Sequence, residues 1–149
     1  MNSPAAELRL VLGSWAELQQ DAGRVRQAVF VAEQGIPQEL EWDQADAVCL
    51  HAVIFNANGE AIATGRLLPD GHIGRMAVLA TYRRHGLGGK ILESLVSAAS
   101  TRGHRQVVLS AQVHALSFYR GHGFVSRGEV YDDVGIAHQD MIREIIPEP

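Results

Sequence analysis

The residues of this chain that are spaced for chemistry begin with the run Arg83-Arg84-His85-Gly86-Leu87-Gly88-Gly89-Lys90, set between an apolar stretch and an amphipathic one. A basic, glycine-rich turn at a helix start leaves backbone N–H groups unpaired and so suits an anion. Gly86, Gly88 and Gly89 remove side chains where a phosphate needs close approach, and Arg83, Arg84 and Lys90 add positive charge. The reading is a diphosphate cradle; a tight turn capping a surface helix would use the same residues. A nucleotide-triphosphate loop is excluded, because Arg84 and Ile91 occupy the places of its first glycine and its hydroxyl. The dinucleotide fingerprint fails at Ile91 as well. A second group is acidic: Glu33, Glu39, Glu41, Asp43 and Asp46 crowd the segment 33–47 around Trp42. They form either a site that draws in a cationic amine, with Trp42 as a face, or a solvated acidic surface.

The totals narrow the possibilities. The chain has 149 residues, enough for one domain spanning 1–149 with a sizeable core. With 17 acidic against 13 basic residues the net charge is -4, which argues against a nucleic-acid-binding surface. The single cysteine, Cys49, lies in an apolar run and reads as a buried thiol in a reducing context. The seven histidines show no metal-ligand spacing, so no metal is expected. The N-terminus lacks a basic-then-apolar signal and no apolar run reaches membrane-spanning length; the expected location is cytoplasmic, away from membranes.

The elements that must position these residues follow from periodicity. Residues 8–13 alternate as a strand, and Ser14 with Glu17 has capping-box spacing ahead of a helix whose stripe is Leu18, Ala22, Val25, Val29 and Ala32, with a break near Gly23. The segment 33–47 reads as a loop. Strands at 50–55, 61–68 and 72–78 form a meander through the Asn58-Gly59 and Pro69-Asp70-Gly71 turns. A helix follows the glycine loop with Leu87, Ile91, Leu92, Leu95, Val96 and Ala99 on one side, ending near Gly103. A strand at 106–110, a short helix from Gln112, a further strand and a last strand at 139–145 complete a mixed α/β order with one main sheet.

Arg83-x-x-Gly86-x-Gly88 resembles the acetyl-CoA pyrophosphate loop of the GNAT superfamily of N-acetyltransferases. Gln112-x-x-Ala115-x-x-Phe118-Tyr119-x-x-x-Gly123-Phe124 is similar to its second signature, with Gln112 where asparagine is usual. Val29 to Gln34, Leu40 to Asp43, Gly74 to Val78 and Gly135 to His138 resemble the ElaA-like branch, and Gly128 to His138 resembles glyphosate N-acetyltransferase. The resemblance implies the GNAT fold, a central, mostly antiparallel sheet with splayed strands flanked by helices. It implies transfer of acetyl from acetyl-CoA directly to a primary amine of a small molecule: an amino sugar, an amino acid or a polyamine-like acceptor. A homodimer is a further implication.

The same resemblance assigns roles. Met76, Ala77, Val78, Arg83, Arg84, His85, Gly86, Leu87, Gly88, Gly89, Gln112 and Phe118 would contact the cofactor, with the Val78 N–H as donor to the acetyl oxygen. An alkyl amine, with a pKa of about 10.4, must lose a proton, and His138, an imidazole of about 6.5, suits the task, with Glu33 the alternative. Tyr119, a phenol of about 10, can hydrogen-bond or protonate a departing sulfur of about 8.5. Glu33, Trp42, Arg66 and Arg75 are candidate acceptor contacts, the arginines for an acidic group; structural ion pairs are the other reading. A peptide acetyltransferase, a non-catalytic acyl-CoA sensor, and a thiol acyltransferase acting through Cys49 are the rival functions.

Overall fold

The structure, a computed structural model, describes residues 7–147; the segment 1–6, read above for targeting signals, lies outside them. Strand β1 (Arg9–Gly13) leads into helix α1 (Trp15–Arg26), and Ser14 caps it as its spacing predicts. The Ser14 hydroxyl accepts the Glu17 N–H at 3.2 Å while the Glu17 carboxylate accepts the Ser14 N–H at 3.0 Å. Leu18, Ala22 and Val25 are buried, and the helix does not break at Gly23. Instead it widens into a π-helix, Gln27–Glu33, where the Gln34 N–H reaches back to the Val29 carbonyl at 3.0 Å. The extra residue in that turn rotates Ala32 out of the buried stripe, and π-turns of this kind gather at functional sites.

The segment expected as a loop contains a short helix α2 (Gln38–Glu41) and a 3₁₀ turn (Gln44–Val48). Strands β2 (Leu50–Phe55), β3 (Ala61–Leu67) and β4 (Ile73–Val78) then form the meander, with β1 on the outer side of β2, all antiparallel. Helix α3 (Leu87–Thr101) covers this sheet through Leu87, Ile91, Leu92, Leu95, Val96 and Ala99, all buried as expected. Gly65 on β3 permits the contact, since a Cβ there would stand 2.7 Å from Ile91 Cγ2. Gly103 ends the helix at a φ of 89°.

Strand β5 (Gln106–Gln112), a 3₁₀ turn (Val113–Ala115), α4 (Leu116–Arg120), β6 (Val125–Asp133) and β7 (Ile136–Glu144) complete the order. The one main sheet read from the order of elements divides into two hydrogen-bonded blocks, β1-β2-β3-β4 and β5-β7-β6, in keeping with the splayed strands that the resemblance implies. Only an isolated parallel bridge, His72 to Val108, joins β4's start to β5. The cause lies in β4, where the register slips opposite Thr64 to Arg66 and Arg75 takes a φ of 49°. Such a bulge bends the strand and ends its pairing. The splay leaves backbone exposed along one edge of β4.

Candidate active site

A cavity of about 680 Å³ opens in that splay. Gly74 to Val78 of β4 form one wall; Leu109, Ser110 and Gln112 of β5, with Phe118 and Tyr119 of α4, form another; Val29, Phe30 and Glu33 of the π-helix, Gln34 that caps it, and His138 of β7 close it. The structure thus brings together Glu33, Arg75, Met76, Ala77, Val78, Arg83, Gly88, Gln112, Phe118, Tyr119 and His138. A smaller neighbouring cavity takes in Gly86, Gly89, Lys90, Glu93, Phe118 and His122.

On β4, Val78 stands opposite Ala63 while the Leu79 N–H bonds to the Ile62 carbonyl at 3.0 Å. Successive residues of a strand point their polar groups to alternate sides, so the Val78 N–H faces away from β3. Its carbonyl accepts from Arg83 Nε at 3.0 Å rather than from a strand.

The glycine loop opens α3 without a side-chain cap. Gly86 takes the N-cap position at a φ of 77°, no acid lies in the first turn, and the Lys90 N–H is the first to reach back, to the Gly86 carbonyl at 3.2 Å. The N–H groups of Leu87, Gly88 and Gly89 are therefore unused by the helix and available to an anion. A Cβ on Gly89 would meet the His122 ring at 3.0 Å. The Leu87 side chain lies in the core, so only its backbone can serve a ligand; Arg84 and His85 are exposed beside the loop.

Arg83 is turned to another task. Its guanidinium grips Glu33 through two hydrogen bonds, at 2.7 and 2.6 Å. That contact holds the Glu33 carboxyl below its ordinary pKa, which makes it a clamped anion and a poor base. Tyr119 packs edge-on against Phe118 and Phe124, with ring centroids at 5.0 and 5.9 Å, and its hydroxyl has no hydrogen-bond partner among the described residues. Burial pushes the phenol up to about 12, so it stays protonated. His138 pairs across the strands with Tyr131, whose ring stacks on it at 6.1 Å. His138 Nδ1 lies 2.8 Å from the Ile136 carbonyl, an acceptor only, so Nδ1 carries the hydrogen and the neutral ring keeps its lone pair on Nε2.

Gln112 exchanges two amide hydrogen bonds with Gln34, at 3.1 and 2.9 Å, tying β5 to the π-helix. In the sequence Gln34 stands only within the Val29 to Gln34 resemblance, with no role assigned to it. Of the five acids read as either an amine-drawing site or a solvated surface, four are paired with arginines within the chain, which fits neither reading in full. Glu33 pairs with Arg83, Glu41 with Arg26 at 2.5 Å, Asp43 with Arg66 at 2.7 Å and Asp46 with Arg26 at 2.8 Å. Trp42 is exposed outside the cavity lining. Arg66 is also corrected: it is buried, outside the lining, and held by Asp43 and Asp46. Burial opposes the Asp46 charge, yet Arg26 and Arg66 hold its pKa down to about 2. Sequence reasoning missed Arg26; the signal was a cation one turn after Ala22, inside the helix's apolar stripe. Among the described residues no group of three His, Cys, Asp or Glu could hold a metal, and no helix is long and apolar enough to cross a membrane.

The fold and this site define an acyl-CoA-dependent acyltransferase, and the comparisons agree. An acyl-CoA N-acyltransferase from Pseudomonas aeruginosa superposes with a TM-score of 0.82 at 32% identity, covering 92% of this chain and 99% of that one. Escherichia coli ElaA does so at 0.79 and 29%, with the same coverage. The uncharacterised N-acetyltransferase YjcF of Bacillus subtilis is 33% identical over 141 residues, 92% of this chain and 100% of YjcF. The acetyltransferase (GNAT) domain family matches residues 19–145, and the chain belongs to that family as an acetyl-CoA-dependent N-acetyltransferase.

Proposed function

We propose that this chain, acting as one domain over residues 1–149, moves acetyl from acetyl-CoA directly to a primary amine of a small molecule. The observation that carries the reading is the presence, in one cavity, of a Tyr119 phenol without a hydrogen-bond partner among the described residues and of His138, whose Nδ1 is turned to the Ile136 carbonyl so that Nε2 is left for the acceptor. The residues fit the cofactor: the open amides of Leu87, Gly88 and Gly89 suit its diphosphate, with Arg84 alongside, and the free β4 edge at Met76 and Val78 suits its extended amide-bearing arm. Bound acetyl-CoA supplies an acetyl group activated as a thioester.

The chain's own groups do the rest. The Val78 N–H is a fixed donor for charge developing on a carbonyl oxygen at the β4 edge. His138 Nε2 takes the proton of the attacking amine. A phenol at about 12 is a weaker acid than a thiol of about 8.5, so full transfer to sulfur is uphill and Tyr119 serves as a hydrogen-bond donor to it. Transfer is direct, because Cys49 is buried outside the cavity lining and burial raises its thiol pKa, keeping it from acting as a thiolate relay. The cavity of about 680 Å³ takes in the β4 edge given to the coenzyme arm as well as the acceptor side, so the room left beside the arm suits a small acceptor.

The test is thiol release from acetyl-CoA across a panel of small amines, comparing wild type with His138→Ala. Turnover is expected with at least one amine, falling by about 10²- to 10⁴-fold in the variant. Binding of the cofactor with no turnover on any amine would favour a sensor instead.

A further inference from the structure

We propose that the acceptor carries a carboxylate as well as its amine, and that Arg75 is the residue that selects it; this rests on the transfer reading above. The cavity wall is the end of a ladder of alternating charges. Glu41 pairs with Arg26 at 2.5 Å, Arg26 with Asp46 at 2.8 Å, Asp46 with Arg66 at 2.8 Å, Arg66 with Asp43 at 2.7 Å, and Asp43 with Arg75 at 3.2 Å. The far end closes on an acid. The other end stops at a cation; Glu41 and Arg75 both line the cavity, but the Glu41 carboxylate is already paired with Arg26, whereas Arg75 keeps a terminal nitrogen without a partner among the described residues.

Arg75 makes the fewest hydrogen bonds of the ladder's three arginines, two against three each for Arg26 and Arg66. Both oxygens of Asp43 are already taken by Arg66, at 2.7 and 2.9 Å, so Arg75 has only a share of one of them. Its Nε donates to the Glu41 carbonyl at 3.3 Å, and its other terminal nitrogen has no partner among the described residues. Burial and the neighbouring Arg66 both work against its charge, lowering its pKa from the ordinary arginine value. The backbone that carries it is held at a φ of 49°, a conformation a non-glycine residue keeps only where its surroundings enforce it. An arginine so placed offers a planar fork of donors, which a carboxylate matches. Ile36, Leu40 and Ile73 line the same cavity, so the ion pair would form among apolar side chains.

The experiment measures kcat/KM for matched acceptors that differ by one carboxyl group, such as lysine with cadaverine and phenylalanine with phenethylamine, in wild type, Arg75→Gln and Arg75→Lys. Wild type is expected to prefer the acids by about 10- to 100-fold, the worth of a charge-assisted hydrogen-bonded pair. Arg75→Gln is expected to bring that ratio within about twofold, and Arg75→Lys to restore part of it. Calorimetry with the N-acetylated acid product gives a readout independent of turnover: binding to wild type, loss in Arg75→Gln. Equal or better use of the carboxyl-free partners by wild type overturns the inference and leaves the transferase reading standing. So does an unchanged ratio in a folded Arg75→Gln. Absence of turnover on every amine defeats the transferase reading first, and this one with it.

Discussion

Replacing Tyr119 by phenylalanine removes one oxygen and leaves the ring. That ring packs against Phe118 and Phe124 at centroid distances of 5.0 and 5.9 Å, contacts the variant keeps. The lost hydroxyl has no partner among the described residues, so the stability change should stay within about 1 kcal/mol. The rate is another matter. A fixed donor aimed at developing charge is worth about 10²- to 10³-fold in kcat, and that loss is expected here with little change in the KM for acetyl-CoA. The pH dependence carries a sign. Burial favours the neutral phenol and raises its folded pKa to about 12, so the donor is present at all lower pH and lost only above that value. The ratio of wild-type to variant rates should therefore be flat from about pH 6 to 10, where an ordinary phenol near 10 would begin to bend it. Thiol-release kinetics across pH, with a thermal melt of each protein, make the measurement. A kcat within threefold of wild type would refute the reasoning, as would a ratio that changes within that range.

Other outcomes follow from the same geometry. Gly89→Ala places a methyl 3.0 Å from the His122 ring at the helix start and should raise the KM for acetyl-CoA about tenfold with kcat little changed, by steady-state kinetics. Asp46→Ala leaves Arg26 and Arg66 buried without their shared acid and should cost about 3–5 kcal/mol in urea unfolding. In wild type the Asp46 contribution, on the order of 2 kcal/mol, is full above about pH 4 and drains away as pH falls toward about 2, because its folded pKa is depressed; acid titration followed by circular dichroism checks this. Cys49→Ala should preserve turnover, since that thiol is buried and outside the cavity lining; a dead but folded variant would revive the thiol route.

Much of this site was legible because its signals are local. The capping box at Ser14, the glycine loop at Gly86 to Gly89 and the apolar stripe of α3 each depend on neighbours within a few residues, and each is found where the sequence places it. The splay of the sheet was legible only through the family resemblance, because the bulge at Arg75 that accompanies it is announced by no residue pattern. The fate of the acids was not legible. Glu33 meets Arg83, and Asp46 meets Arg26 and Arg66, across long stretches of chain, so a run that reads as an exposed acidic face is a set of ion pairs reaching into the core. The π-helix was hidden for a related reason: one extra residue per turn moves Ala32 outward and Gln34 inward without altering composition.

The central claim is that the unpaired amides at the start of α3 hold the coenzyme beside Tyr119. Amide resonances of ¹⁵N-labelled protein titrated with coenzyme A test it directly. The largest shifts are expected at Leu87, Gly88 and Gly89 and along the β4 edge at Met76 and Val78. Saturable binding that leaves those five resonances in place and moves others would contradict it.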